Sequence, residues 1–210
     1  LINETNPSSI NIELSAIIQI KGSCNSPTFY DFAKNIFFSI MDLSKGFSRI
    51  DIVADQYFDN SVKEQTRNDR GVGRRKEFQD SMKLPKNIWE DFLRNNKNKE
   101  DLNRYLATKI LSLYSGSQTL EITYGDTIVS NDNHLLDDTR INNCTTEEAD
   151  SRLVKHTINC VEKGYKNVIV RTVDTDVLIL LISNKPYMDT LGRANVFALM
   201  GTGGNTNYLD

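Results

Sequence analysis

Several acidic residues fall where a solvent-facing carboxylate is least at home. Asp174 and Asp176 lie one residue apart in "VRTVDTDVLILL", between a β-branched run and a string of leucines and isoleucines. Asp55 closes "RIDIVAD", and Glu147, Glu148 and Asp150 open "TTEEADSRLVKHTINCVEKG", where Glu147 and Asp150 share a helix face at i, i+3. Glu13 sits inside the apolar run "INIELSAIIQI", where an uncompensated charge is costly. If Glu13, Asp55, Glu148, Asp150, Asp174 and Asp176 converge on one cleft, their mutual repulsion demands a positive neutraliser. Hard divalent cations such as Mg2+ or Mn2+ prefer oxygen ligands and keep several waters. Two such ions ~4 Å apart can activate water and stabilise the leaving oxygen of a phosphodiester. The expectation is therefore a two-metal nuclease site.

Ordinary structural roles fit the same acids one at a time. Thr145 to Glu148 is a capping box, so Glu148 also fits a role satisfying backbone donors. Asp174 or Thr175 fits a helix N-cap after a strand-to-helix turn. Asp55 fits a surface loop, and Glu13 fits a misread pattern. These separate roles explain less well why acids recur at the ends of several expected strands.

Strands and helices alternate along the chain. Strands are expected over "INIELSAIIQI", "RIDIVAD", "NVIVRTV" and "NVFALM". "TFYDFAKNIFFSIMDLS" has Phe29, Phe32, Ala33, Ile36, Phe37 and Ile40 at helical spacing. "NIWEDFLRNN" and "KEDLNRYLATKILSLY" read as two more helices, the second with Leu102, Tyr105, Leu106, Ile110 and Leu113 on one side. "TLEITYGDTIVS" reads as a hairpin turning at Gly125-Asp126. The helix after Thr145 stops at Gly164, and "DVLILLISN" reads as a short buried helix. Helices interleaved with short apolar strands predict an α/β fold of three layers, with a largely parallel central sheet covered on both faces. Ligands then bind beyond the carboxyl ends of the strands, where Asp55 and Asp174 fall.

Residues 60–80 read as a basic insertion. Lys63, Arg67, Arg70 and Arg74 follow i, i+4, i+7, i+11 spacing, with Arg75 and Lys76 adjoining. Such a stripe is most often a solvated face, but here it begins just past Asp55 and fits a phosphate-backbone contact. His134 and His156 have no partner at metal-ligand spacing in the sequence, and His156 is read as core-facing. Cys144 reads as structural, Trp89 with Phe92 as core, and "GTGGN" at 201–205 as a turn, because it lacks the Lys-Ser/Thr of a phosphate loop.

The chain has 210 residues, 39% hydrophobic and 25% charged, with a net charge of −3, which suits one domain and does not advertise a broadly basic nucleic-acid binder. Cys24, Cys144 and Cys160 form neither a zinc set nor a disulfide framework. With no membrane-length apolar run and no signal-peptide pattern, an intracellular location, the nucleus included, is the expectation.

The motifs resemble a known group. "EEADSRL" followed by "NVIVRTVDTDVLIL" is similar to the core of the flap-endonuclease branch of the PIN-like nucleases. There, a helix opening with acids precedes a strand and an Asp-x-Asp. The resemblance places Glu148 and Asp150 on the helix acids and Asp174 and Asp176 on the Asp-x-Asp. It makes Asp55 a metal ligand after its strand and puts Lys63 to Arg75 on a basic arch beside the substrate. Glu13 falls where that family has Asp. A closer likeness, through "TRNDRGVGRR", "NIWEDFLRNNKNKEDL" and "EEADSRL" with "VRTVDTDV", is to uncharacterised transposon-associated animal proteins. What the resemblance implies is a metal-dependent, structure-selective nuclease with Mg2+ or Mn2+ as cofactor and nucleic acid, DNA ahead of RNA, as partner. It implies no membrane association and no organic cofactor. A catalytically inactive module that binds nucleic acid or protein is the alternative. The family's DNA-holding helices would follow Asp210, so the chain is expected to be a fragment of a longer protein.

Overall fold

The structure is a computed structural model that describes residues 7–56, 78–132, 149–201 and 207–209. Strand β1, Ser8–Glu13, is buried along its whole length and runs directly into helix α1, Leu14–Lys21. The expected first strand is therefore too long. An uninterrupted apolar run cannot by itself separate strand from helix, and Leu14, Ile17 and Ile18 bury one face of a helix instead. Helix α2, Phe29–Leu43, buries Phe29, Phe32, Ala33, Ile36 and Ile40, as their spacing predicts. Its N-cap is Thr28, whose hydroxyl accepts from the Asp31 amide at 3.2 Å.

Strand β2, Arg49–Val53, precedes helices α3, Trp89–Arg94, and α4, Asn96–Leu113. Strands β3, Thr119–Tyr124, and β4, Thr127–Ser130, form the expected hairpin. Gly125 supplies its positive φ of 51° at the first turn position. Helix α5, Ala149–Glu162, strand β5, Asn167–Arg171, helix α6, Thr175–Leu191, and strands β6, Asn195–Met200, and β7, Asn207–Leu209, complete the order. The short buried helix expected at "DVLILLISN" is longer and more exposed than its composition suggests. Helix α6 buries Val177, Leu181 and Met188, while Ile179 and Ile182 face outward.

One seven-stranded sheet has the order β4-β3-β2-β1-β5-β6-β7. Its inner strands β3, β2, β1, β5 and β6 are parallel, and the edge strands β4 and β7 are antiparallel. Helices cover both faces, giving the three-layer α/β architecture. On one face Ile10, Ile12, Ile50, Ile52, Leu120 and Ile122 meet the apolar sides of α1, α2, α3 and α4. Trp89 stacks on Phe92 there, at 5.4 Å between ring centroids. Helices α5 and α6 cover the other face.

That second face is not apolar. Side chains alternate along a strand, and the register aligns Asn11, Asp51 and Glu121 in one row beneath α5. Arg49 donates to both oxygens of Asp51, at 2.6 and 2.8 Å, and to Asn159 Oδ1 at 2.8 Å. Glu121 Oε2 lies 3.5 Å from the same guanidinium. His156 of α5 bonds Asp51 at 2.8 Å through Nδ1 and Thr123 at 3.2 Å through Nε2. Burial disfavours the charged form of Asp51, but Arg49 and His156 outweigh it and hold the carboxyl below its ordinary range. Among the described residues no helix is long and apolar enough to cross a membrane.

Removing one partner from a fully buried ion network leaves the others uncompensated. Asp51→Asn is expected to lower unfolding stability by about 3 kcal/mol, measured by urea denaturation. Asp42→Asn, which breaks an exposed pair with Lys45, is expected to leave the urea midpoint essentially unchanged.

Candidate metal centre

The sheet order puts a reversal in the chain's path. Construction runs outward from β1 to β2 and β3, then returns to the far side of β1 to lay down β5 and β6. The connections at the carboxyl ends of β1 and β5 therefore diverge, which opens the crevice where parallel α/β sheets bind ligands. Glu13 is the last residue of β1, and Asp174 follows the end of β5. Asp55 comes two residues after β2, and Asp150 is the second residue of α5.

Glu13, Asp55 and Asp174 are each fastened by a local contact. Glu13 is buried and accepts from the Ser15 hydroxyl through Oε1 and from the Thr172 hydroxyl, at 2.6 Å, through Oε2. The same Thr172 oxygen accepts from the Asp174 amide at 3.0 Å, so one hydroxyl spans the gap between β1 and the β5 end. Asp174 is the N-cap of α6, with Oδ1 accepting from the Asp176 amide at 2.9 Å. Asp55 Oδ1 accepts from the amide of Ala149, the first residue of α5, at 3.2 Å. The N-cap role weighed for Asp174 is thus real. It does not use up the carboxylate, because an ionised carboxyl has two oxygens and about four acceptor sites.

These contacts bring Glu13, Asp55, Asp150 and Asp174 onto the wall of one cleft of about 480 Å³. Its remaining wall comes from α1, α3 and α4, including Ile18, Leu93, Arg94 and Lys99. Asp176 is exposed in the first turn of α6. Asp150 is half-buried beside these acids. Its carboxyl is pushed up to about 6, first by burial and then by the charges of Asp174, Glu13, Asp55 and Asp176. Two buried arginines brace the surroundings. Arg152 donates to Gln56 Oε1 at 2.9 Å and to the Gly125 carbonyl. Arg171 donates to the Leu199 carbonyl at 2.8 Å and to that of Gly201, tying β5 to β6 beside the crevice. Burial lowers the pKa of Arg171, with Glu13 acting in the opposite sense.

Glu148 and the basic stripe Lys63, Arg67, Arg70, Arg74 and Arg75 lie outside the described residues, as do Cys144, His134 and residues 202–205 of the "GTGGN" turn. The anchors Ser15 and Thr172 were not singled out in the sequence, although each lies two residues from a candidate acid. The buried network was missed as well. His156 is core-facing, as expected, yet Asp51 and Glu121 join it in a set whose ligand atoms lie within 4.8 Å of one another and could hold a metal ion. Arg49 already serves that set as its cation, through two hydrogen bonds to Asp51. The alternation of Arg49, Asp51 and Val53 with Ile50 and Ile52 marks a two-faced strand in the sequence without showing that a helix covers the polar face.

No family model, curated protein or solved structure matches this chain.

The Asp150 shift carries a sign. The folded chain holds the Asp150 proton up to about pH 6, against an ordinary value of 3.8. The folded state is therefore the more protonated in that window, and stability falls as pH rises through it. In metal-free buffer, Asp150→Asn is expected to melt higher than the parent protein above pH 6, with the difference shrinking towards pH 4. A melting series across that range checks it, and a constant difference would remove the electrostatic explanation.

Proposed function

We propose that Glu13, Asp55, Asp150 and Asp174, with Asp176 at the rim, bind hard divalent cations, Mg2+ or Mn2+, and that the domain hydrolyses phosphodiester bonds in nucleic acid, DNA foremost. The observation that carries this reading is the delivery of four carboxylates from four separate elements to one cleft at the reversal of the sheet order. An all-oxygen donor set suits magnesium or manganese and is poorly suited to softer metals. When bound, such ions supply Lewis-acid activation of water and charge neutralisation at the leaving oxygen.

The chain's own residues supply position. Ser15 and Thr172 fix the Glu13 carboxylate, the helix N-termini fix Asp55 and Asp174, and Asp150, whose ionisation is disfavoured by burial and by its acidic neighbours, is the group a cation would help to ionise. Wherever the protein binds a cation, stability rises with its concentration by mass action. The likeness of "EEADSRL" and "VRTVDTDV" to the flap-endonuclease branch of the PIN-like nucleases supports the same reading. It extends the metal set to Glu148 and gives Lys63, Arg67, Arg70, Arg74 and Arg75 the nucleic-acid backbone.

A second reading has its own observation. Asp55 and Asp174 each cap a helix, and Glu13 is held by two hydroxyls, so these acids have structural work without a metal. A catalytically inactive, transposon-derived binding module would look the same in these respects.

Cleavage and calorimetry separate the two. The full-length protein is expected to cut at least one of flap, single-stranded or duplex DNA or RNA when supplied with Mg2+ or Mn2+. Asp174→Asn together with Asp176→Asn is expected to reduce the rate by at least about a hundredfold, since metal catalysis contributes several kcal/mol. Full activity in the double variant would reject this site. Titration calorimetry without measurable magnesium or manganese binding would favour the inactive module.

A further inference from the structure

Arg152 of α5 is only 3% exposed, and among the described residues no carboxylate pairs with it. Its Nη2 donates to Gln56 Oε1 at 2.9 Å and to the Gly125 carbonyl, while Nε and Nη1 have no hydrogen-bond partner. A buried cation without a counter-ion is costly, and unspent donors add to the cost. An apolar side chain of similar length would fill the same space without that penalty. The guanidinium therefore calls for a reason beyond packing.

What it grips supplies that reason. One residue past β2, the Ala54 amide still donates to the Thr123 carbonyl of β3, at 2.9 Å. The next two residues, Asp55 and Gln56, are reached from α5 instead. The Ala149 amide donates to Asp55 Oδ1 at 3.2 Å, and Arg152 holds the side chain of Gln56. Ala149 and Arg152 stand three apart, on one face of the helix. Consecutive residues of the β2 exit are thus held by one face of α5, and a hold on Gln56 fixes the backbone that carries the Asp55 carboxylate. Gly125, in the β3–β4 turn, is tied to the same nitrogen. Arg152 itself forms no part of the cleft wall, whereas Asp55 and Gln56 both do.

We propose that Arg152 is a positioning residue for the candidate metal centre: by clamping Gln56 and the β3–β4 turn to α5, it sets the Asp55 carboxylate where a cation can use it. The proposal rests on the metal reading above for the task given to Asp55, and deepens it by naming the buried group that holds this ligand in place. Arg152 acts through Asp55 and touches neither cation nor substrate.

Two arms test this in the full-length protein. The first is metal-free: amide hydrogen exchange at Ala149, followed by NMR with isotope-labelled alanine, reads the contact to Asp55. Arg152→Met and Gln56→Leu are each expected to speed that exchange about tenfold, the worth of a hydrogen bond to a charged group, while the buried Ala33 and Ala107 keep their rates. The double variant is expected to exchange no faster than either single one, because both break the same link. It is also expected to melt no lower than the parent, since an apolar pair replaces an unpaired buried charge and its acceptor. The second arm is Mn2+ affinity by electron paramagnetic resonance, expected to fall about tenfold or more in each single variant. Parent-like exchange at Ala149 or parent-like Mn2+ affinity in the single variants would overturn the proposal. So would a lower melting temperature of the double variant with faster exchange at all of these alanines, which would make Arg152 a structural bolt. A parent protein that binds no Mn2+ strikes the metal reading alone, because the exchange arm still decides what holds Asp55.

Discussion

Arg49, Asp51, Glu121 and His156 are buried together between the sheet and α5, and their pairing fixes how that helix lies on the strands. A charge at such a depth is tolerated only in a closed set of partners. The set draws its members from β2, β3 and α5, so those elements must arrive in one register. Asn11 and Asn159 extend the hold, through Thr157 and Arg49 respectively. Beneath the guanidinium, burial pushes the Cys160 thiol up to about 12, so this cysteine behaves as an inert polar filler. Because α5 is positioned by directional bonds and not by greasy contact alone, Asp150 at its start has a defined place opposite Asp55.

The outer acids follow a different logic. Among the described residues they line an open cleft, whereas Asp51 is enclosed with Arg49. Glu13, Asp55 and Asp174 are each held by a helix amide or a hydroxyl, and burial with the neighbouring acids raises the pKa of the half-buried Asp150. A perturbed carboxyl in a cleft marks a candidate functional site. The inner network and the outer cluster are thus two solutions to one electrostatic problem. The inner is closed by an arginine, and the outer lines a cleft at the sheet edge.

Much of this could be read from residue order. The helix over Phe29–Leu43, the hairpin at Gly125-Asp126, the strand before Asp55 and the strand before Asp174 follow from period and turn chemistry. Two features could not. Leu14–Lys21 and the preceding strand form one apolar run, in which neither period dominates, so the boundary at Glu13 is set by where the sheet ends. The polar face of the sheet was also hidden. Arg49 and Asp51 alternate with Ile50 and Ile52, a pattern that usually marks a solvent-facing side, and only the fold reveals that α5 covers it. The candidate acids were legible because acids after strands are conspicuous. Their anchors, Ser15 and Thr172, are common residues whose importance depends on a neighbour more than a hundred positions away in the case of Thr172 and Glu13.

Thr172 shows what such an anchor does. Its hydroxyl gives its hydrogen to Glu13 and takes one from the amide of Asp174, using a single oxygen in both directions. The two carboxylate-bearing chain ends are therefore joined through one neutral oxygen. Asp176, on the first turn of α6, belongs to the same flank, because its amide donates to the Asp174 carboxylate. Thr172 thereby sets the first turn of α6, with both of its acids, against the end of β1.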